Sequence, residues 1–424
     1  MSDQEVYNIW YARPPERWAA EPAWMSVSTL LAMEACPRRW SLSSADYPGI
    51  WGGGYPPKPS SAALVGQILH GALEIITKAL NRAGCCSIHD ELFVSVLQEL
   101  GGYTKVIEAQ LDRQIVKLNN NPRAKLNAEF IISKLRTQIP ELRGRVQMFV
   151  SKLKLQGGAG DSPAKDKSAP VKREPLPAGS HAEVELRVES LRWRGFVDFL
   201  NLGSDQCEIV DFKTGEAKTE HEFQVRVYNL LWARDVVLNP KARQVDRLSL
   251  LYANGELPVR PLTPTEISDL EIDLEARTRT ALNDIRRDPP PAYPSVQNCN
   301  FCPVRHMCDS YWTAVVQKQL RAQKLDDPAT HSLSKSVDLE VLLTKRESLI
   351  DWHAQVTVSG ELDTHTQLYI QFHNNILPIL DRFEVGTRLR LIDVYYVPQS
   401  EEGNSLPFVI TLTRMSEVFI VGSL

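Results

Sequence analysis

Glu208-Ile-Val-Asp-Phe-Lys-Thr-Gly215 follows Gly195-Phe-Val-Asp-Phe-Leu200 across the polar turn 201–206, and these two stretches decide the fold. Aromatic and β-branched residues bounded by Asn, Gly, Ser and Asp predict two short strands joined as a hairpin. Alternate residues of a strand share a face, so Asp211 and Lys213 should lie side by side while Phe212 turns into the core. Two carboxylates, Asp198 and Asp211, and one ammonium at strand ends suit a divalent cation and a group that positions or deprotonates a water. That is equipment for phosphodiester hydrolysis. Asp-x-Lys alone is a weak signal, so the weight falls on its neighbours.

Downstream, Thr219 to Tyr228 reads as an amphipathic helix on which Gln224 and Tyr228, four apart, share a face. An amide and a phenol there would hold a phosphate or a base beside the cation. Upstream, residues 64–80 place apolar side chains at 65, 69, 72, 73, 76 and 80, a helical period. His70 lies in that helix one turn before Glu74. As a ligand it would use one ring nitrogen and give the other to a carboxylate such as Glu74. Cys299, Cys302 and Cys308 cluster in a Pro-bounded segment, and Cys36 stands apart in Glu34-Ala-Cys-Pro-Arg-Arg-Trp40. Four thiols fit a cubane iron–sulfur cluster. Zinc, on the same thiols or with His306 replacing Cys36, fits the spacing equally. Cys85, Cys86 and Cys207 read as ordinary cysteines.

Taken in order, these segments resemble the RecB/AddB-type iron–sulfur nucleases of the PD-(D/E)XK superfamily. The resemblance runs over residues 26–315. It is carried by Ser26-Val-Ser-Thr-Leu-Leu31 through Cys36-Pro-Arg-Arg-Trp40, by Gly66-Gln-Ile-Leu-His70, and by Gly195-x-x-Asp198. Asp211-x-Lys213, Gln224-x3-Tyr228 and the three-cysteine cluster complete it. It implies an α/β nuclease core, a mixed sheet flanked by helices with a helical insertion. It also implies Mg2+ or Mn2+ held by His70, Asp198, Asp211 and the Phe212 carbonyl, with Lys213 as the catalytic lysine. Cys36, Cys299, Cys302 and Cys308 would carry a [4Fe-4S] cluster. The expected activity is metal-dependent hydrolysis of DNA, at single strands or ends, in repair, recombination or anti-phage defence. A catalytically silent DNA-binding subunit of a helicase or defence complex is the alternative. No Gly-x4-Gly-Lys-Ser/Thr phosphate loop occurs, so a helicase motor would be a separate chain.

The 424 residues, 43% hydrophobic, suffice for two or three domains with their own cores. No apolar run suggests a membrane span, the start lacks a basic and apolar leader, and seven cysteines argue against a disulfide framework. The expectation is a soluble cytoplasmic protein. A net charge of −4 leaves any nucleic-acid-binding surface local.

The nuclease domain is expected over residues 1–330. Trp10, Trp18 and Trp24 would sit in an arm packed on that domain, and residues 88–155 would be a helical insertion walling a DNA channel. Residues 156–180, rich in Gly, Pro, Ser and Lys, read as a mobile loop. Thr263-Pro-Thr-Glu266 predicts a capped helix start. Residues 345–424 read as five strands of an OB-like barrel, with a helical turn at 375–382 and a β-bulge where apolar alternation slips after Leu391. Tyr369, Tyr395, Tyr396, Phe408, Arg388 and Arg390 would form a base-stacking platform. A chain ending near 330 is therefore expected to keep the metal site and the cluster.

Overall fold

Seven helices precede the first strand in the computed structural model, which describes residues 10–51, 53–124, 127–155, 173–203, 206–326, 336–372, 379–397 and 408–422. Helix α1 (Val27–Ala35) is capped by Ser26, whose hydroxyl accepts from the Thr29 amide. Pro37 occupies the first turn of α2 (Pro37–Ser44), where a missing N–H costs nothing. Cys36 is left extended between the two helices. Helix α3 (Ser61–Arg82) buries Ile68, Leu69, Leu73, Ile76 and Leu80 against α5 (Gly102–Asn120) and α7 (Ile139–Ser151), with α4 (Glu91–Glu99) and α6 (Ala128–Thr137) alongside. By length and composition α3 is apolar enough to cross a bilayer, contrary to the sequence expectation. Its apolar face is nonetheless a core face, turned to α5, α7 and the sheet. Gly71 lets α5 come close, since a Cβ there would lie 2.4 Å from Gln110 Oε1.

The first sheet has five strands in chain order: β1 (Gly179–Val188), β2 (Trp193–Leu202), β3 (Cys207–Lys213), β4 (Arg247–Tyr252) and β5 (Gly255–Val259). Neighbours are antiparallel except β3 and β4, whose parallel step is bridged by α8 (Thr219–Arg234). On one face, Val197, Leu200 and Ile209 pack with Leu30, Val225, Trp232 and Leu274 from α1, α8 and α9 (Pro264–Ile285). On the other, Phe199, Val210 and Phe212 meet α3 and α7. The capping box expected at Thr263 and Glu266 is formed. Of the expected 156–180 loop, 156–172 lie outside the described residues, and Gly179 already belongs to β1.

Beyond α10 (Val296–Cys299) and α11 (Ala314–Asp326), the chain closes a barrel in the order β6 (Val337–Arg346), β7 (Asp351–Ser359), β8 (Gln367–Gln371), β10 (Phe408–Thr411), β9 (Arg388–Val397) and back to β6. β8 and β10 pair in parallel, and β11 (Glu417–Val421) lines the outer side of β9. Five strands close the ring, compatible with an OB-like domain, but the first strand begins at Val337, ahead of the expected boundary at 345. The anticipated bulge in β9 is present: three steps from Leu391 to Val394 oppose two from Leu339 to Val337, and Asp393 takes a φ of 55°. The expected helical turn survives as one short turn at Leu380–Arg382, since 373–378 lie outside the described residues.

Barrel and helical layers share one core. Val304, Met307 and Trp312 of the cysteine segment pack in the same cluster as Leu339, Leu389 and Phe419. Three buried arginines cross the seam. Arg123 donates to Glu417 (2.6 Å) and to the Pro303 carbonyl (2.6 Å). Arg305 reaches Asp338 (2.7 Å) and Asp393 (2.8 Å). Arg390 donates to Glu340 (2.9 Å) and to the His306 carbonyl (2.6 Å). The N-terminal arm divides. Trp18 donates to Asp288 and Trp24 lies under Arg187, both on the first domain. Residues 10–12 instead join the barrel: the Ala12 amide donates to the Ile420 carbonyl and the Ile420 amide to the Trp10 carbonyl, each at 2.8 Å.

Candidate active site

The site lies where β2 and β3 part. Their ladder ends at Phe199↔Val210, and beyond it the Phe212 amide, with no β2 carbonyl to meet, donates to Asp198 Oδ2 at 2.6 Å. The Asp198 carboxylate thus replaces a rung of the sheet and is fixed in the fork. Its other oxygen, Oδ1, lies 3.1 Å from His70 Nδ1 on α3. Glu74, the partner anticipated for His70, is bound by Lys78 at 2.5 Å instead, because Lys78 is its own i+4 neighbour.

Across β1, Glu183 stands opposite Asp198 between the pairs Ala182↔Phe199 and Val184↔Val197, and its φ of 54° is left-handed. Such a conformation is costly for a residue with a Cβ and re-aims the side chain. His70, Glu183 and Asp198 each offer a ligand atom, and these atoms lie within 4.8 Å of one another. The sequence reading passed over Glu183. In Ala182-Glu-Val-Glu-Leu-Arg-Val188 it looks like the outward polar position of an ordinary strand, and only the backbone kink separates it from Glu185.

Asp211 is buried, with Lys213 Nζ 2.6 Å from its Oδ2, as the strand alternation requires. That oxygen has no well-aligned hydrogen bond. Lys213 donates to Gln224 Oε1 (2.7 Å), and Gln224 Nε2 donates to the Tyr228 hydroxyl. Tyr228 is buried, its ring lying over Gly195, where a Cβ would sit 2.7 Å from it. The helical pair therefore aims the lysine. Phe212 is buried against Phe149, as expected.

The carboxylates crowd one another. Burial, then Asp198, push Asp211 up to about 7 against the pull of Lys213. Burial, Asp198 and Glu74 do the same to Glu183, also to about 7. Burial opposes charge on His70, but its hydrogen bond to Asp198 and the surrounding carboxylates outweigh that and raise it. Carboxylates raised by burial and then by one another, converging with His70, fit a divalent cation that would take up their charge.

A family model for the PD-(D/E)XK nuclease superfamily matches residues 24–309, about two thirds of the chain. The protein belongs to the PD-(D/E)XK nuclease superfamily. No curated protein matches the chain significantly. Membership makes it a metal-dependent phosphodiesterase by family.

Away from the fork, Cys36, Cys299, Cys302 and Cys308 line one cavity together with Arg38, Arg39 and Tyr293. Burial pushes Cys299 up to about 11 and Cys302 up to about 12, so their thiolates need a cationic partner. His306 does not line this cavity. Its ring stacks on Phe419 (3.8 Å between centroids) and its Nε2 meets the Tyr55 hydroxyl at 2.9 Å.

The barrel platform is only partly assembled. Arg390 is buried, with Trp312 beneath its guanidinium, so it holds the domain seam and does not face solvent. Arg388 is half exposed and paired with Glu340. Tyr369 donates to Asp351 (2.8 Å), whereas Tyr395 is exposed. Val409 of β10 pairs with both Tyr369 and Val397, which sets Tyr369 and Tyr395 on the same outer face.

Proposed function

We propose that this protein is a Mg2+- or Mn2+-dependent deoxyribonuclease that cuts single strands or strand ends. The observation that carries the reading is the convergence of His70, Glu183 and Asp198 beside the Asp211–Lys213 pair at the fork of the sheet. Asp198, Asp211, Glu183, His70 and the Phe212 carbonyl would hold the cation, which when bound polarises a phosphate oxygen and lowers the pKa of a water. One imidazole among oxygen donors suits manganese as well as magnesium. Lys213, aimed by Gln224, positions the attacking water and offsets charge developing on the phosphate. A silent scaffold would have no use for a buried Asp–Lys pair held by a dedicated amide and phenol.

We further propose that the four cysteines carry a [4Fe-4S] cluster with a structural role, closing residues 36–308 into one ring. The lining of one cavity by all four thiols supports it. Tyr369, Tyr395 and Arg388 remain the barrel's candidates for single-strand contact.

End-labelled single-strand, duplex and flap DNA, with an RNA counterpart, incubated with Mg2+ or Mn2+, test the activity. No cleavage of any of them would overturn it. Iron and sulfide analysis tests the cluster, with Cys36→Ala expected to lose the visible chromophore. Stoichiometric zinc without iron would replace that proposal.

A further inference from the structure

We propose that the face of α5 opposite the carboxylate site binds the phosphates of one nucleic-acid strand through Arg113 and Lys117. This deepens the nuclease reading and rests on it. A cleft of ≈ 680 Å³ opens between α3, α5 and β1, reaching from His70 and Glu183 to Arg113 and Lys117. Its size is that of sites which enclose a small ligand, about 300–1,000 Å³. Arg113 and Lys117 are four residues apart on α5, so they lie on one face about 6 Å apart along the axis.

Both are exposed, and among the described residues neither meets a carboxylate. Several surface arginines are paired with carboxylates, Arg226 with Glu222, Arg277 with Glu34 and Arg286 with Glu21. Arg113, which meets only the neutral Gln110 Oε1 at 3.4 Å, and Lys117 are set apart by their place: they put two uncompensated cations on the cleft that opens from the carboxylate site. Beneath them, Gln110 and Gln114 are buried, and Gln110 Nε2 and Gln114 Oε1 have no hydrogen-bond partner. They leave one donor and one acceptor for a sugar or base edge, groups that present both.

The opposite wall fixes the strandedness. It carries no lysine or arginine, only Glu74, already paired with Lys78, and Glu183, a proposed cation ligand, so the cleft has counter-charge for one backbone only. A single strand enters with its phosphates along α5 and is led toward Lys213. A duplex would press its second backbone against the glutamates.

The test is fluorescence anisotropy with labelled single-strand and duplex oligonucleotides in Ca2+, over a series of salt concentrations. It compares wild type, the exposed double variant Arg113→Gln/Lys117→Gln, and Lys105→Gln, whose lysine pairs with Glu108. For single strands the double variant should bind more weakly, with the slope of log K against log salt shallower by about 1.4, or 0.7 for each lost phosphate contact. Lys105→Gln should match wild type. Unchanged affinity and slope in the double variant would overturn the proposal, as would an equal loss on duplex. Hydrolysis of bis(p-nitrophenyl) phosphate with Mn2+, a substrate too small to reach α5, should be the same in wild type and double variant. A fall there would mean that the substitutions disturb the site, which also overturns the proposal. A wild type inactive on both this ester and DNA sinks the nuclease reading, whereas the anisotropy result still judges α5.

Discussion

Lys213 is held from two sides, by Asp211 and by Gln224, and the two contacts make different predictions. Lys213→Ala should reduce cleavage of single-strand DNA by about 10²–10⁴-fold, the usual worth of a positioned proton-transfer or charge-offsetting group. Gln224→Ala leaves the ammonium in place but loosens it, so kcat should fall on the order of tenfold with KM little changed. Steady-state kinetics on end-labelled oligonucleotides separates the two. Glu183 offers a sharper test because its backbone and its carboxylate pull in opposite directions. Glu183→Gly relieves a left-handed residue worth about 1 kcal/mol and removes a crowded carboxylate. The variant should be at least as stable as wild type while binding Mn2+ roughly 10–100-fold more weakly. Calorimetry and thermal melts check both halves. The pH dependence has a definite sign. Glu183 and Asp211 titrate higher in the folded than in the unfolded chain, so their contribution to stability is full below about pH 4 and is lost as pH rises through about 7. Metal-free wild type should therefore melt lower at pH 8 than at pH 5.5, and Glu183→Gln should show a smaller difference.

Among the elements, β2 bears the most constraint. Gly195→Ala would set a methyl 2.7 Å from the Tyr228 ring and 3.1 Å from Leu231. Overpacking of that kind costs about 1–3 kcal/mol, and here it should displace α8 and the Tyr228–Gln224–Lys213 chain with it. Urea denaturation should show the lower midpoint, together with a drop in kcat. The strands and helices around this point were legible because their apolar periods are strong: 64–80 as a helix, 208–213 as a strand, Thr263–Glu266 as a capped start. Strand β1 was not, because its first residues trail a Gly- and Pro-rich stretch that reads as loop. Strand β6 lay ahead of the expected barrel although Val337, Leu339, Val341 and Leu343 alternate with Asp338 and Glu340; what the sequence hides there is that Glu340 is buried against Arg390. The same fact misled the reading of Arg390, since an arginine beside tyrosines on a strand resembles a binding surface until its buried carboxylate is known. For the catalytic set, residues fixed by local spacing (Asp211, Lys213, Gln224, Tyr228) could be read. Glu183, fixed by a kink that two strands make together, could not.

For the molecule as a whole, the seam between barrel and nuclease domain argues that a chain ending near 330 would not stand alone. Such a chain would strand Arg123 without Glu417, and Arg305 without Asp338 and Asp393. It would also uncover Val304, Met307 and Trp312, which share one apolar core with Leu339, Leu389 and Phe419 of the barrel. The truncated protein should be insoluble or protease-sensitive where the full chain resists, as limited proteolysis will show. Glu417→Gln in the full chain should lower the melting temperature without touching the metal site. The pairing of residues 10–12 with Ile420 carries the same logic into the order of events in the cell. A ribosome releases the chain from its N-terminal end, yet the arm at 10–12, the charge of Arg123 and the cysteine segment all wait for residues 417–420. The fork, whose residues are all present by Tyr228, is made before its supports at 417–420, so the nascent protein carries it for a time without the contacts that tie its layers to the barrel.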